Sequence, residues 1–310
     1  MTISPTRYRQ ITIGALVALA VIIVTGAAVR LTNSGLGCDD WPNCSSERLI
    51  DVSSKHAAIE QLNRFFTGVV ALAVIAAVLG SMFRAGERRR DLRLLSWALV
   101  AGVVANAVLG GISVLVDLHP MAIQGHMLLS LALIVAGTVL VRRAGEPDGV
   151  ARTRVVTSTT QRLTWVLFAL TCAAAFTGTI VTGAGPHAGD EEATRLDVAI
   201  PTVARIHGVT VMATLAVALW IAWRIRSHPD DRRQLTNILS TWIFLGAMQA
   251  ALGYVQYFNG VPELLVGIHV AGATIVVLVA TLVVLDTTRP VEDGDSGARE
   301  HRAAVDAAPA

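Results

Sequence analysis

Four positions in this 310-residue chain have the residue types and spacing to hold a metal-centred cofactor. His126 and His269 are 143 residues apart, and the same shift carries Asn106-Ala-Val-Leu-Gly110 onto Gln249-Ala-Ala-Leu-Gly253. A shift of 144 carries Asn63 onto His207. The second half therefore offers two histidines on alternate apolar segments. The first half offers His126, with Asn63 in the place of its partner. Paired histidines projecting inward from neighbouring helices are how a helix bundle grips an iron porphyrin. His207 and His269 suit a low-spin b-type haem, with both iron faces occupied and an electron-carrying role. The pair His126 and Asn63 differs, because a carboxamide is a poor iron ligand beside imidazole. A haem bound there is held on one face, or more loosely, and can leave, as an enzyme acting on haem would require.

The elements that must position these residues are apolar helices. Hydrophobic residues make up 53% of the chain and charged residues only 15%, with a mean hydropathy of +0.58. Soluble domains carry about 25% charged residues. Apolar runs long enough to span a bilayer, about 20 residues each, recur at roughly 10–30, 58–83, 93–115, 121–142, 162–183, 201–225, 235–257 and 263–286. The first run continues from Arg9 to Val29, longer than a signal-peptide core, and is read as a membrane helix. Lipid offers the backbone no hydrogen-bond partners, so the spans must be helical. The sequence thus predicts an all-α polytopic membrane protein: eight transmembrane helices arranged as two repeated four-helix bundles. The halves are 1–145, with the substrate site, and 160–288, with the fixed haem site. Residues 289–310 read as a disordered cytoplasmic tail.

Arginines cluster on one side: Arg7 and Arg9, Arg84 to Arg93, Arg142 to Arg154, and Arg224 to Arg233. Acids dominate the opposite loops, including Asp39, Asp40, Glu47, Asp51, Asp117, Asp190 and Glu263. The positive-inside rule then predicts a plasma-membrane protein with both termini in the cytoplasm. Asn63, His126, His207 and His269 all fall near the starts of even-numbered segments, at a common depth in the outer half of the membrane. One such histidine is adequately explained as a polar residue satisfied by a neighbouring helix. Three at repeat-related positions favour function, since ionisable groups inside membranes are usually functional. No nucleic-acid partner is expected.

Glu60 lies one helical turn before Asn63, on the same face. It can act as a general base or stabilise positive charge beside a porphyrin; favourable placement at a helix start explains it equally well. Arg64, and Arg205 in the second half, can pair with haem propionates, Arg64 alternatively with Glu60, or both can snorkel to the surface. In the first outer loop, Cys38 and Cys44 lie on the oxidising side, where a disulfide forms readily. Metal binding is the rival, although the nearest histidine is His56. Trp41-Pro42 would stiffen this loop and could cover a cofactor edge. Cys172 reads as a small apolar core residue. His119 and His187 belong to outer loops, and His56 is the only stand-in for a missing ligand near Asn63.

The loop Gly35-Leu-Gly-Cys-Asp-Asp-Trp-Pro-Asn-Cys44, the stretch Glu60-x-x-Asn63-Arg64, the stretch His119-Pro120-x5-His126, and the pair His207 and His269 together resemble haem A synthase. The resemblance runs from segment one to segment eight. It implies oxidation of one methyl group of haem O to a formyl group, giving haem A for terminal oxidase biogenesis. It also implies a resident haem b on His207 and His269, a substrate haem on His126, Glu60 as the essential acid, and a disulfide between Cys38 and Cys44. The implied partners are haem O synthase and cytochrome oxidase assembly proteins, with an electron donor the sequence does not name; a homo-oligomer stays open. The family usually has Glu-x-x-His-Arg where this chain has Glu60-x-x-Asn63-Arg64. The favoured account is that the substrate haem needs only His126 and that Asn63 leaves one iron face open. The rival readings are a bis-histidine electron carrier and a haem chaperone or transporter.

Overall fold

The computed structural model describes residues 2–291. Eight helices within them are long and apolar enough to cross a membrane. They are α1 (Pro5–Leu31), α2 (Lys55–Phe83), α3 (Arg90–Leu115), α4 (Pro120–Ala144), α5 (Ser158–Ala184), α6 (Ile200–Arg224), α7 (Pro229–Phe258) and α8 (Glu263–Leu285). All eight predicted spans are present. Several helices begin earlier than their apolar stretch, because hydropathy marks the membrane-embedded part while caps and prolines set the helix start. Ser4 accepts from the Arg7 N–H ahead of Pro5, Ser54 accepts from the Ala57 N–H, and Pro229 opens α7 before Asp230 and Asp231.

These helices are apolar all round, as membrane helices are. On α2, Leu62, Phe65, Val69, Leu72 and Leu79 are exposed as a stripe at helical spacing, while Val70, Val74, Ala77 and Val78 are buried. Without water outside, sequence periodicity does not tell these faces apart; packing does. Cys172 shows the consequence. It is exposed rather than part of the core, facing a shallow apolar groove beside Leu128, Val135 and Phe168. Lipid is as apolar as a protein interior, so the chemistry of cysteine does not distinguish the two.

The two halves have the same connectivity. In the first, α1 packs on α2, α2 on α3, α3 on α4, and α4 back on α1. In the second, α5, α6, α7 and α8 close the same ring. Each half has its own apolar core, one around Tyr8, Leu99, Ile134 and Leu140, the other around Leu167, Ile221, Leu239 and Trp242. The halves meet through α1 with α8, α4 with α8, and α4 with α5.

At the arginine-rich end, the linker between halves is pinned to the end of α8. Strand β1 (Arg152–Arg154) pairs antiparallel with β2 (Thr288–Pro290). Arg152 bonds Glu146 and also donates to Leu285 O and Thr288 O, while Arg142 reaches Asp286 at 2.6 Å. Arg289 and Pro290, which the sequence assigns to the tail, thus belong to an ordered ribbon. The remainder of that tail, 292–310, lies outside the described residues.

Candidate functional site

Asn63, His126, His207 and His269 each fall within the first nine residues of α2, α4, α6 and α8. All four line one cavity of about 1420 Å³ at the cysteine-loop end of the bundle. Ordinary ligand pockets enclose about 300–1,000 Å³, so this space is large enough for more than one large planar cofactor. Glu60, Arg64, Arg205, Trp41 and His187 share the lining.

The repeat extends to the backbone that launches α4 and α8. Asp117 and Leu118, just before α4, have φ of 51° and 57°. Gly260 and Val261, at the positions 143 residues later, have φ of 75° and 58°. Left-handed conformation costs an L-residue roughly 1–2 kcal/mol. It persists here because each loop is held: Leu118 is buried against Ala188 and Ala193, and His187 Nε2 donates to Val261 O at 2.7 Å. Each left-handed pair starts a helix that carries its histidine eight residues further on.

The imidazoles have a defined orientation. His126 Nδ1 donates to Asn106 O at 3.1 Å. Thr177 spends its hydroxyl proton on Ala173 O and Ala174 O, so its oxygen accepts from His207 Nδ1, also at 3.1 Å. Both rings are therefore held with Nδ1 protonated and Nε2 available. Metal-ligating histidines are oriented in this way, by a second hydrogen bond from the other ring nitrogen. His269 Nδ1 is buried with no partner among the described residues, while Gln249 donates to the His269 backbone carbonyl. Small residues crowd the rings: an added Cβ would stand 3.0 Å from His126 at Gly110, 3.2 Å from His207 at Gly178, and 3.3 Å from His269 at Gly253. Oriented imidazoles against glycine, around a cavity of this size, fit haem.

Glu60 is buried and is part of a clamp on the cysteine loop. Its Oε2 accepts the Cys38 N–H at 2.8 Å, and its Oε1 accepts Arg64 Nη2 at 2.6 Å. Arg64 also donates to Asn43 O at 2.8 Å and Asp40 O at 3.0 Å. Arg64 pairs with Glu60, one of the partners the sequence allows it, and also lines the cavity. Arg205 is exposed at the cavity edge. Cys38 and Cys44 form a disulfide. The Trp41–Pro42 peptide is cis, and Trp41 lies against the α3 backbone, where a Cβ on Gly111 would stand 2.3 Å from the indole. A Cβ on Gly37 would stand 2.4 Å from the His56 backbone, and one on Gly35 would stand 3.0 Å from Gly189 O, so the Gly-Leu-Gly of the loop is a requirement of close approach.

His56 is not among the cavity-lining residues; its Nδ1 bonds Ser34 at 2.9 Å. It does not replace the histidine missing at Asn63. His119 caps α4 by accepting from the Met121 N–H. One residue escaped sequence reasoning. Arg30, at the end of α1, lines the cavity, and its guanidinium has no hydrogen bond or ion pair among the described residues. The available signal was a cation at the acid-rich end of the bundle, against the arginine distribution.

A family model for COX15-CtaA, described as cytochrome oxidase assembly protein, matches residues 9–283, from α1 nearly to the end of α8. The chain belongs to this family. Among curated relatives, the haem A synthase of Lysinibacillus sphaericus is 28% identical over 129 residues, 41% of this chain and 42% of that protein. The haem A synthase of Exiguobacterium sibiricum is 26% identical over 133 residues, 41% of this chain and 44% of that protein. A protohaem IX farnesyltransferase of Natronomonas pharaonis is 31% identical over 120 residues, 37% of this chain and 26% of that protein. The matched stretch thus spans less than half the length of each relative.

Proposed function

We propose that this protein is a haem A synthase, an oxidoreductase that converts the methyl group of haem O to a formyl group. The observation that carries the reading is the asymmetric repeat within one cavity, in a chain matched to the family along almost its full length. His207 and His269 would hold a resident haem b. His126 would hold the substrate haem, with Arg205 and Arg30 available to its propionates or those of haem b. Glu60, fixed by Arg64 and the Cys38 N–H, would be the essential acid, stabilising positive charge or handling protons beside the substrate. The bound haem supplies the redox chemistry; the protein supplies binding and orientation. With water as the oxygen source, each of two oxidations releases two electrons and two protons, first to the alcohol, then to a hydrated aldehyde that loses water. By this route both need an external electron acceptor, in place of the electron donor that the resemblance implies. Haem O synthase, as supplier of substrate, and cytochrome oxidase assembly factors are the proposed partners. The arginine distribution supports a multi-pass plasma-membrane protein with both termini cytoplasmic.

Expression in a host that makes haem O, followed by haem extraction, tests the activity. Haem A or its alcohol precursor is expected; their absence from folded protein overturns the enzyme reading. Two firmly held unmodified b haems would instead mean an electron carrier, and one exchangeable unmodified haem a chaperone. Replacing His207 or His269 should abolish the low-spin b-type spectrum.

A further inference from the structure

In the second half, the His207 ring packs over α5, where a Cβ on Gly178 would lie 3.2 Å from its Cε1. The stretch Thr25-Gly26-x-x-Val29 on α1 matches Thr177-Gly178-x-x-Val181 on α5, which makes Gly26 the counterpart of Gly178, and a Cβ there would meet nothing within 4 Å. The space taken by an imidazole in one half is therefore open in the other. The neighbouring threonines also differ. Thr177 has its shorter contacts to backbone carbonyls and accepts from His207, whereas Thr25 lies 3.2 Å from Ile22 O but 2.8 Å from Asn63 Oδ1, and the shorter contact takes its single proton. That bond engages one lone pair of the amide oxygen and fixes its orientation, and an amide nitrogen has no free lone pair for a metal. Asn63 Nδ2 makes no hydrogen bond among the described residues, and Asn63 lines the cavity. The result is a short polar side chain, fixed on its oxygen and offering N–H groups to an open space. The polarity, donors and access of such a distal face decide whether a haem takes up small ligands.

We propose that the first-half site binds a neutral diatomic ligand, of the dioxygen, carbon monoxide and nitric oxide class, on its Asn63 side, with Asn63 Nδ2 donating a hydrogen bond to it. The proposal rests on the reading of His126 as a haem ligand, and carbon monoxide is the probe. In the purified full-length protein carrying haem in both halves, reduction and titration with carbon monoxide should give one binding event per chain. The second-half haem should stay low-spin and inert. Asn63→His should convert the first-half haem to low-spin and weaken carbon monoxide binding at least tenfold. Asn63→Ala and Thr25→Val keep the face open; the first removes the donor and the second its anchor. Asn63→Ala should speed carbon monoxide dissociation about tenfold, the size of one net hydrogen bond, and both variants should shift the C–O stretch. These two variants carry the test if Asn63→His fails to fold.

Two haems per chain with no carbon monoxide binding would overturn this proposal and leave the haem A synthase reading standing. Failure of the first half to take up haem when haem O is supplied in excess, with the His207 haem in place, would overturn both. Unchanged dissociation and an unchanged C–O stretch in Asn63→Ala would overturn the role of the amide.

Discussion

The Glu60–Arg64 pair should be among the strongest polar couplings in the molecule. A second pair, Asp230 with Arg233, has the same 2.6 Å separation and serves as an internal control. The side chains of Arg64 and Glu60 are 18% and 8% exposed; those of Arg233 and Asp230 are 80% and 63% exposed. Exposed pairs contribute about 0–1 kcal/mol, because water screens the charges and the side chains lose entropy. Removing one partner of a buried pair costs about 3–5 kcal/mol, because the other charge is left without compensation. Arg64 would keep its bonds to Asn43 O and Asp40 O, and Glu60→Ala would also orphan the Cys38 N–H. These partly offset each other, so Glu60→Ala should cost about 3 kcal/mol. A double-mutant cycle of Glu60→Ala and Arg64→Ala should give a coupling of about 2–3 kcal/mol. The same cycle on Asp230 and Arg233 should give under about 0.5 kcal/mol. The assay is reversible unfolding in detergent micelles, with limited proteolysis of the cysteine loop as a second readout. Equal couplings for the two pairs would refute the clamp.

The repeat glycines should respond differently to alanine. Gly26→Ala should stabilise α1 by up to about 1 kcal/mol through helix propensity, while Gly178→Ala should gain less or lose, since its Cβ presses on His207; equal shifts in melting temperature would contradict the packing. Hydrogen bonds from Arg84, aided by its charge, hold the Asp148 carboxyl below the usual carboxylate range, with the Glu87 N–H and Arg89 contributing. Its contribution to stability should be complete above the unfolded value of about 3.9 and fade as pH falls through the lower folded value. Wild type should therefore melt above Asp148→Asn at neutral pH, with the gap closing below about pH 4; a gap that widens with acid would reverse the sign of this account.

Much of this architecture was legible from the chain because membrane helices obey few rules. Lipid forces every span to be helical, so apolar length alone gave eight helices, and the 143-residue repeat gave their grouping. The same reasoning failed at Cys172, because an apolar run does not record which face meets lipid. It also missed the ribbon formed by Arg152–Arg154 with Thr288–Pro290, since three-residue strands carry too little pattern to detect.

Residue types and spacing, by themselves, determined that three histidines and Asn63 stand at one depth. They also marked Glu60 as sharing a face with Asn63, and the cysteine loop as sharing their end of the bundle. Only the tertiary structure decided the partners. It gave Arg64 to Glu60 and to the loop carbonyls, His56 to Ser34, and Thr177 to His207. It brought the two left-handed pairs, Asp117 with Leu118 and Gly260 with Val261, into matching roles ahead of α4 and α8. It also left Gly26 facing open space where Gly178 faces a ring. The physical reason is range. Helix formation and membrane partition act within one segment and are written in local composition. A hydrogen bond between helices depends on rotations and offsets that are fixed only when all eight segments pack together.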